Sequence, residues 1–204
     1  MEIVVHGRGG HAGLVHALDS PIGPAMRLAQ AIESMPLTAR DERFDPPAPS
    51  IAITRIEAGG PMQESNVVPD SVKLTVDRRV LPAEDLDAII SDIARLIDAK
   101  VPLPFRTEWR VIKRWPPCET PAEHLVSRAA QAAVQSTGRA GAFAMDLPAN
   151  DTSWFVEAGI PAILLGPGDP LQAHATDESL DAAEFRDAVA IYAKLLLATV
   201  ALPD

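Results

Sequence analysis

Apolar positions in the first half of the chain switch between the two-residue period of a strand and the spacing of a helix. Residues 72–80 alternate, with valine and leucine on one face, interrupted by Arg78, and charged or hydroxyl side chains on the other. Residues 84–100 instead repeat leucine and isoleucine at helical spacing until Pro102. The same patterns predict strands at 2–6, 51–58, 72–80 and 105–111 and helices at 21–35 and 84–100. The order β-α-β-β-α-β predicts a ferredoxin-like α+β sandwich, with both helices on one face of an antiparallel sheet.

The first helix is predicted to begin at Pro21, with Ser20 as its N-cap. Its predicted apolar face consists of Ile22, Met26, Ala29 and Ile32.

The pattern changes around Arg114-Trp-Pro-Pro117, which predicts a domain boundary between residues 1–112 and residues 113–204. Capping boxes at Thr120–Glu123 and Asp181–Glu184 predict the starts of two helices in the second half. Short apolar runs there predict strands at 142–145 and 162–165, and a helical turn is predicted at 153–158. These strands are too few to form a sheet, so residues 113–204 are expected to be an incomplete α/β segment.

In the helix that begins after Asp181, apolar side chains recur on one predicted face. They are Phe185, Val189, Tyr192 and Leu196.

The amino-acid composition limits the kinds of molecule that the chain is expected to bind and the compartment in which it is expected to occur. The net charge is −10, and the 18 lysines and arginines are scattered, which argues against a nucleic-acid surface. No apolar run is long enough to cross a membrane. A single cysteine, Cys118, cannot form an internal disulfide, so a reducing, cytoplasmic compartment is expected. The first residues read as a strand and not as a signal peptide, as if the chain opened inside a larger architecture.

A loop near the C-terminus carries His174 among the carboxylates of Asp177 and Glu178, with Asp151 and Asp169 upstream. Imidazole and carboxylate groups are ligands for zinc and related ions. The alternative is a loop histidine among surface acids. Spacing alone favours that alternative, because a catalytic zinc takes about three protein ligands and the loop contains one histidine.

Three further residues are candidates for ligand binding. His11 lies in a glycine-rich loop beside Arg8, where it either helps to hold an anion or oxyanion or is incidental to a turn. Arg79, at a strand end, either captures a carboxylate or is a solvated surface arginine. Asn66 either orients a substrate amide or caps a turn.

An ordered set of motifs resembles the zinc exopeptidase family of acetylornithine deacetylase, succinyl-diaminopimelate desuccinylase and carboxypeptidase G. The motifs extend over essentially the whole chain and are individually short. They are Gly10-His11 to Pro21, Gly59-Gly60, Ser65-Asn66 to Pro69, Asp77-Arg-Arg79, Asn150-Asp151, and Gly166-Pro-Gly168 followed by His174 and Asp177-Glu178.

The resemblance implies a lid and dimerisation domain over residues 1–112 and the C-terminal part of a catalytic domain over residues 113–204. It implies that His174 is a metal ligand and that His11 stabilises an oxyanion in the partner subunit's active site. It further implies that Asn66 and Arg79 hold the substrate, with Arg79 pairing with its carboxylate. The implied reaction is hydrolysis of an amide in an N-acyl amino acid or small peptide by a homodimer with Zn²⁺ or Co²⁺.

The sequence departs from the family pattern in its metal ligands. The family carries a His-x-Asp pair, a bridging aspartate and a Glu-Glu pair in its first half, and no such set is present in this sequence. Val15 stands where many members have proline, and Pro148-Ala-Asn-Asp151 replaces a Gly-Gly-Thr-Asp type of loop. We therefore expect a partial amidohydrolase or peptidase that is inactive as this chain alone, with metal bound only together with the missing half. The alternative is a non-catalytic dimerisation or small-molecule-binding module.

Overall fold

The computed structural model describes residues 1–59, 64–145 and 149–200, with side chains to residue 198. The chain divides into two compact units, the first of which contains residues 1–114. Among the described residues, the second unit contains residues 115–145 and 149–200.

The first unit is built on a four-stranded sheet with two helices. Its strands are β1 (Glu2–His6), β2 (Gly10–His11), β3 (Ser50–Ala58), β4 (Val67–Val68), β5 (Ser71–Arg79) and β6 (Arg106–Arg110), and its helices are α1 (Ile22–Glu33) and α2 (Leu86–Lys100). The order in the main sheet is β3-β5-β1-β6, and every neighbouring pair is antiparallel. The predicted α+β class, with helices beside an antiparallel sheet, is confirmed.

Both helices pack on one face of this sheet and close a single apolar core. Because side chains alternate across a strand, β5 directs Val72, Leu74 and Val76 into the core. Ile97 of α2 is fully buried against them. Arg78, next on the same face, would leave a charge at the edge of this core. Glu84 forms a half-buried ion pair with Arg78, which compensates that charge.

The start and apolar face of α1 differ from the prediction. The helix begins at Ile22 with Pro21 as its N-cap residue, and no side chain caps it, so Ser20 is not the N-cap. The buried residues are Pro24, Ala25, Leu28, Ala29 and Ile32. Ile22 and Met26 are exposed, because the sheet contacts a face rotated from the one predicted.

The second unit contains three α-helices among its described residues: α3 (Leu125–Gln135), α4 (Thr152–Glu157) and α5 (Ala182–Val200). The predicted capping box at Thr120 is wrong, because α3 begins later, at Leu125, with His124 as its N-cap residue, whose Nδ1 accepts from the Val126 N–H. The Thr120 hydroxyl group instead bridges both backbone groups of Ala162, at 2.6 Å to the carbonyl oxygen and 3.1 Å to the nitrogen. The N-cap at Asp181 is confirmed, since its Oδ1 accepts from Ala183 and Glu184 N–H groups.

The strands predicted at 142–145 and 162–165 are not formed in the structure. Residues 162–165 belong to no helix or strand, and no described strand pairs with them. A strand requires a neighbour for its backbone hydrogen bonds, and an apolar run alone does not supply one.

The apolar face predicted for α5 is mostly exposed. Phe185 is 58% exposed, Val189 59% and Leu196 66%, while the buried residues of this helix are Ala188 and Ile191. Among the described residues after 114, the other buried hydrophobic residues are Ala130 and Ala133. The second unit therefore has a small core made mostly of alanine.

Candidate functional site

The fold brings two of the candidate residues, His11 and Asn66, into contact. The short strands β2 and β4 form an antiparallel ribbon in which His11 is opposite Val67. The Ala12 N–H donates to the Asn66 carbonyl oxygen at 2.7 Å, which fixes the two backbones together. The side chains meet with 3.3 Å between Asn66 Nδ2 and His11 Nε2. Both side chains are exposed, so the pair is open to a ligand.

The glycines before His11 allow the loop to pass close to neighbouring backbone. A Cβ at Gly9 would lie 2.5 Å from the Val68 carbonyl oxygen, and one at Gly7 would lie 2.1 Å from that of Asp19. Both distances exclude a side chain, so these glycines are needed to place the ribbon. At the other end of β2, His11 caps a 3-10 helix (Ala12–Ala17), and the Gly13 N–H donates to its Nδ1 at 3.0 Å.

Arg79 lies at the end of β5, and its guanidinium is already held on one edge. Nε donates to Asp77 Oδ1 at 2.6 Å, and one terminal nitrogen, Nη2, donates to Asp77 Oδ2 at 3.2 Å. The Arg79 side chain is 36% exposed. Guanidinium has a second pair-forming edge between its terminal nitrogens, and this edge is the one suited to a ligand carboxylate.

His174 follows a short 3-10 helix (Pro170–Gln172) that Asp169 caps through the Leu171 N–H. Its φ of 65° lies in the left-handed region, which is uncommon for a residue other than glycine. The His174 N–H donates to Glu178 Oε2 at 3.1 Å. The Glu178 side chain therefore accepts a hydrogen bond that holds the backbone of His174 in this turn.

The described residues do not fit a complete metal site. Within residues 1–59, 64–145 and 149–200, no group of three or more histidine, cysteine or acidic side chains could hold an ion. Asp151 is the N-cap residue of α4, and Asp169 caps a turn. His174 is thus a candidate for a single metal ligand.

The structure separates the candidate residues by unit. His11, Asn66 and Arg79 belong to the first unit, and His174 belongs to the second. Gly60 and Pro148, which are part of the motifs, lie outside the described residues.

Sequence reasoning missed two groups that act on the candidates, the Gly13 N–H and the Asp77 carboxylate. The contact of Asp77 with Arg79 could have been predicted from the sequence, because residues two apart on a strand share a face. The contact of the Gly13 N–H with His11 could not have been predicted, because histidine is not among the usual N-cap residues.

Comparison with known proteins identifies the class. Residues 1–103 match the family model of the peptidase dimerisation domain. The chain is 30% identical over 200 residues to a succinyl-diaminopimelate desuccinylase of Methylorubrum extorquens, covering 96% of this chain and 49% of that protein. It is 27% identical over 184 residues to an acetylornithine deacetylase of Myxococcus xanthus, covering 87% of this chain and 46% of that protein. The chain belongs to the peptidase family that includes these two enzymes, and the predicted resemblance is confirmed.

A solved structure of a di-peptidase from Saccharomyces cerevisiae has the same fold. The TM-score is 0.81 at 16% identity, covering 100% of this chain and 54% of that one. The chain thus spans about half the length of the proteins it matches.

None of the helices in the described part of the chain combines the length and the apolar character needed to span a bilayer.

Proposed function

We propose that this chain is the lid and C-terminal portion of a metal-dependent amidohydrolase or peptidase that acts on N-acyl amino acids or small peptides. The observation that carries the proposal is the contact between His11 and Asn66 within the part that matches the peptidase dimerisation domain. The names of the related desuccinylase and deacetylase support an N-acyl amino acid as the substrate class.

Each candidate residue in the first unit has a role that its contacts support. His11 and Asn66 are exposed on a hydrogen-bonded ribbon, which suits groups that bind the oxygen of a scissile amide. Arg79 is oriented by Asp77 and presents its remaining edge to a substrate carboxylate. Fixing the guanidinium before binding lowers the entropy cost of pairing with the ligand.

His174 supplies one metal ligand in this proposal, and the remaining ligands and the general base come from outside the described residues. This role is supported by the chemistry of the loop, because an imidazole on a loop held by Glu178 and Asp169 suits zinc or cobalt. The described residues contain no set of three ligands that could complete the site. The chain alone is therefore expected to be inactive.

A zinc titration of the purified chain, followed by an assay with N-acyl amino acids, tests the catalytic part of the proposal. We expect no tight binding of two ions and no hydrolysis, because one imidazole and dispersed carboxylates cannot hold a dinuclear site. The variant His174→Ala, as a control, should remove whatever weak binding the wild type shows at this loop. If the chain binds two zinc ions below micromolar concentration and cleaves an N-acyl amino acid, the fragment proposal is wrong.

Homodimer formation through the lid is part of the proposal, in a cytoplasmic location consistent with a single free cysteine. The two outer strands, β3 and β6, each leave one edge without a neighbour in the described sheet, and such edges are available for pairing. Sedimentation at increasing concentration should show a monomer–dimer equilibrium. A monomer at every concentration would remove the expectation.

The second candidate function is a non-catalytic dimerisation or small-molecule-binding module. It is favoured by the closed apolar core of the first unit, which does not depend on the second. Ligand binding without turnover, in the presence of the missing catalytic half, would support this function over hydrolysis.

A further inference from the structure

The ring of His11 makes a hydrogen-bond contact through each of its nitrogens. On one side, the Gly13 N–H donates to Nδ1 at 3.0 Å. A neutral imidazole has one N–H and one bare nitrogen, so an accepting Nδ1 requires the proton to be on Nε2. The backbone of the 3-10 helix thus selects one tautomer of the ring.

On the other side, this tautomer conflicts with the placement of the Asn66 carboxamide. Asn66 Nδ2 lies 3.3 Å from His11 Nε2, and in the Nε2–H tautomer both of these atoms are donors. A half-turn of the carboxamide replaces Nδ2 by Oδ1, which accepts from Nε2–H. Amide nitrogen and oxygen are assigned from the hydrogen-bond network, and here the network requires the oxygen.

We infer that the Gly13 backbone N–H fixes His11 in the Nε2–H tautomer, that Asn66 Oδ1 accepts from Nε2–H, and that Gly13 is therefore a positioning residue for His11. For its catalytic meaning, this inference rests on the proposed function. In that function His11 acts as a hydrogen-bond donor to a carbonyl oxygen or oxyanion, and a bound ligand oxygen takes the place of Asn66 Oδ1.

The space around the ring agrees with this role. A Cβ at Gly13 would lie 3.1 Å from His11 Nδ1 and 3.3 Å from Cε1, so a side chain there would move the ring by a few tenths of an ångström. The β2–β4 ribbon holds the backbone of both partners, because the Ala12 N–H donates to the Asn66 carbonyl oxygen. The carboxamide can therefore turn without moving the chain.

His124 provides an internal comparison. It is the N-cap residue of α3, and its Nδ1 accepts from the Val126 N–H at 3.3 Å. The same N-cap geometry predicts the same tautomer, in a place where no asparagine contact is assigned. His16 and His174 have no such ring contact among the described residues and serve as references for an unconstrained ring.

The test is a long-range proton–nitrogen correlation spectrum of the histidine rings in the ¹⁵N-labelled full chain at alkaline pH, with His11→Gln for assignment. We expect a protonated Nε2 and a bare Nδ1 for His11. The variant Gly13→Pro removes the N–H and should lower the ratio of the Nε2–H to the Nδ1–H form about fivefold, the factor for one ordinary hydrogen bond. The matched variant Gly13→Ala keeps the N–H and should lower the ratio less than Gly13→Pro does, because its Cβ only shifts the ring by a few tenths of an ångström.

An Nδ1–H tautomer in the wild type, or an unchanged ratio in Gly13→Pro, would overturn the inference. Because proline can disturb the loop, the exchange rate of the Gly13 amide in the wild type is a second measurement. A hydrogen-bonded amide should exchange about fivefold more slowly than a free one. Exchange at the free rate would count against the inference.

The spectrum requires no turnover, so its outcome is separate from that of the proposed function. A confirmed tautomer in a chain that supports no hydrolysis even together with the remaining ligands and general base would leave the inference in place and reject the function. An Nδ1–H tautomer of His11 in an assembly that does hydrolyse amides would overturn the inference and leave the proposed function in place.

Discussion

His174 has a positive φ of 65°, and in the described part of the chain it is the one residue other than glycine that does. A left-handed conformation costs a residue with a Cβ on the order of 1–2 kcal/mol. The contact from its N–H to Glu178 Oε2 offsets part of this cost. Strained residues of this kind occur often at ligand sites, which is consistent with the proposed metal-ligand role.

Glu57 and Lys73 are opposite each other on β3 and β5 and form an ion pair. The hydrogen bond from Lys73, together with its charge, lowers the pKa of Glu57 below the ordinary value of about 4.5. A lowered carboxyl pKa contributes stability above the unfolded-state pKa, and this stability is lost as the pH falls through the folded-state pKa. The contribution is small because the pair is solvated.

For this pair, we predict that Lys73→Gln raises the pKa of Glu57 towards its ordinary value and reduces the acid dependence of stability below about pH 4.5. A side-chain NMR titration of Glu57 measures the change. The exposed Lys100→Gln, at the end of α2, is the control and should leave the titration unchanged. An unaltered Glu57 titration in Lys73→Gln would show that the pair is not formed in solution.

At the scale of elements, helical periodicity predicted the apolar face of α5, but it did not predict whether other residues would cover that face. Asp181 caps the helix as expected, but Glu184 does not complete the capping box. It accepts instead from Arg139 and from the Gly168 N–H. Hydrogen bonds from Arg139 to Asp187 and Glu184 also raise the pKa of Arg139 above its ordinary value. The first turn of α5 is thus connected to the glycine loop that precedes His174.

Substitutions on the two faces of α5 should have unequal costs. Ile191→Ala is expected to destabilise the second unit by about 2–4 kcal/mol, because this side chain is 7% exposed and its removal leaves a cavity. Val189→Ala should change stability by less than about 0.5 kcal/mol, because Val189 is 59% exposed. Urea unfolding of both variants measures the difference. Equal costs would mean that the apolar face is covered in solution.

At the scale of the whole molecule, the two units differ in the core that each contains. Among the described residues, the first unit has a cluster of eleven buried hydrophobic residues, whereas the second unit has four buried hydrophobic residues, three of which are alanine. Burying a large apolar side chain contributes about 1.5–3 kcal/mol, and alanine contributes much less. The second unit should therefore be the less stable of the two.

Hydrogen exchange should reveal this difference directly. We predict slow exchange in β1, β5 and α2 of the first unit, and faster opening throughout residues 115–145 and 149–200. Within the first unit, the terminal residues of the edge strand β6 are the internal control for local fraying. Strong, uniform protection to the end of α5 would contradict the prediction.

Residue pattern by itself determined the β-α-β-β-α-β order and the family, because strand and helix periods and short motifs are local properties of the chain. It did not determine which face of α1 would be buried, nor that no described strand would pair with residues 162–165, because both depend on neighbours distant in sequence. His11, Asn66 and Arg79 were each identifiable as candidates. The contact of His11 with Asn66 was decided by tertiary structure, which joins β2 to β4 across more than fifty residues, whereas the contact of His11 with the Gly13 N–H is local in sequence.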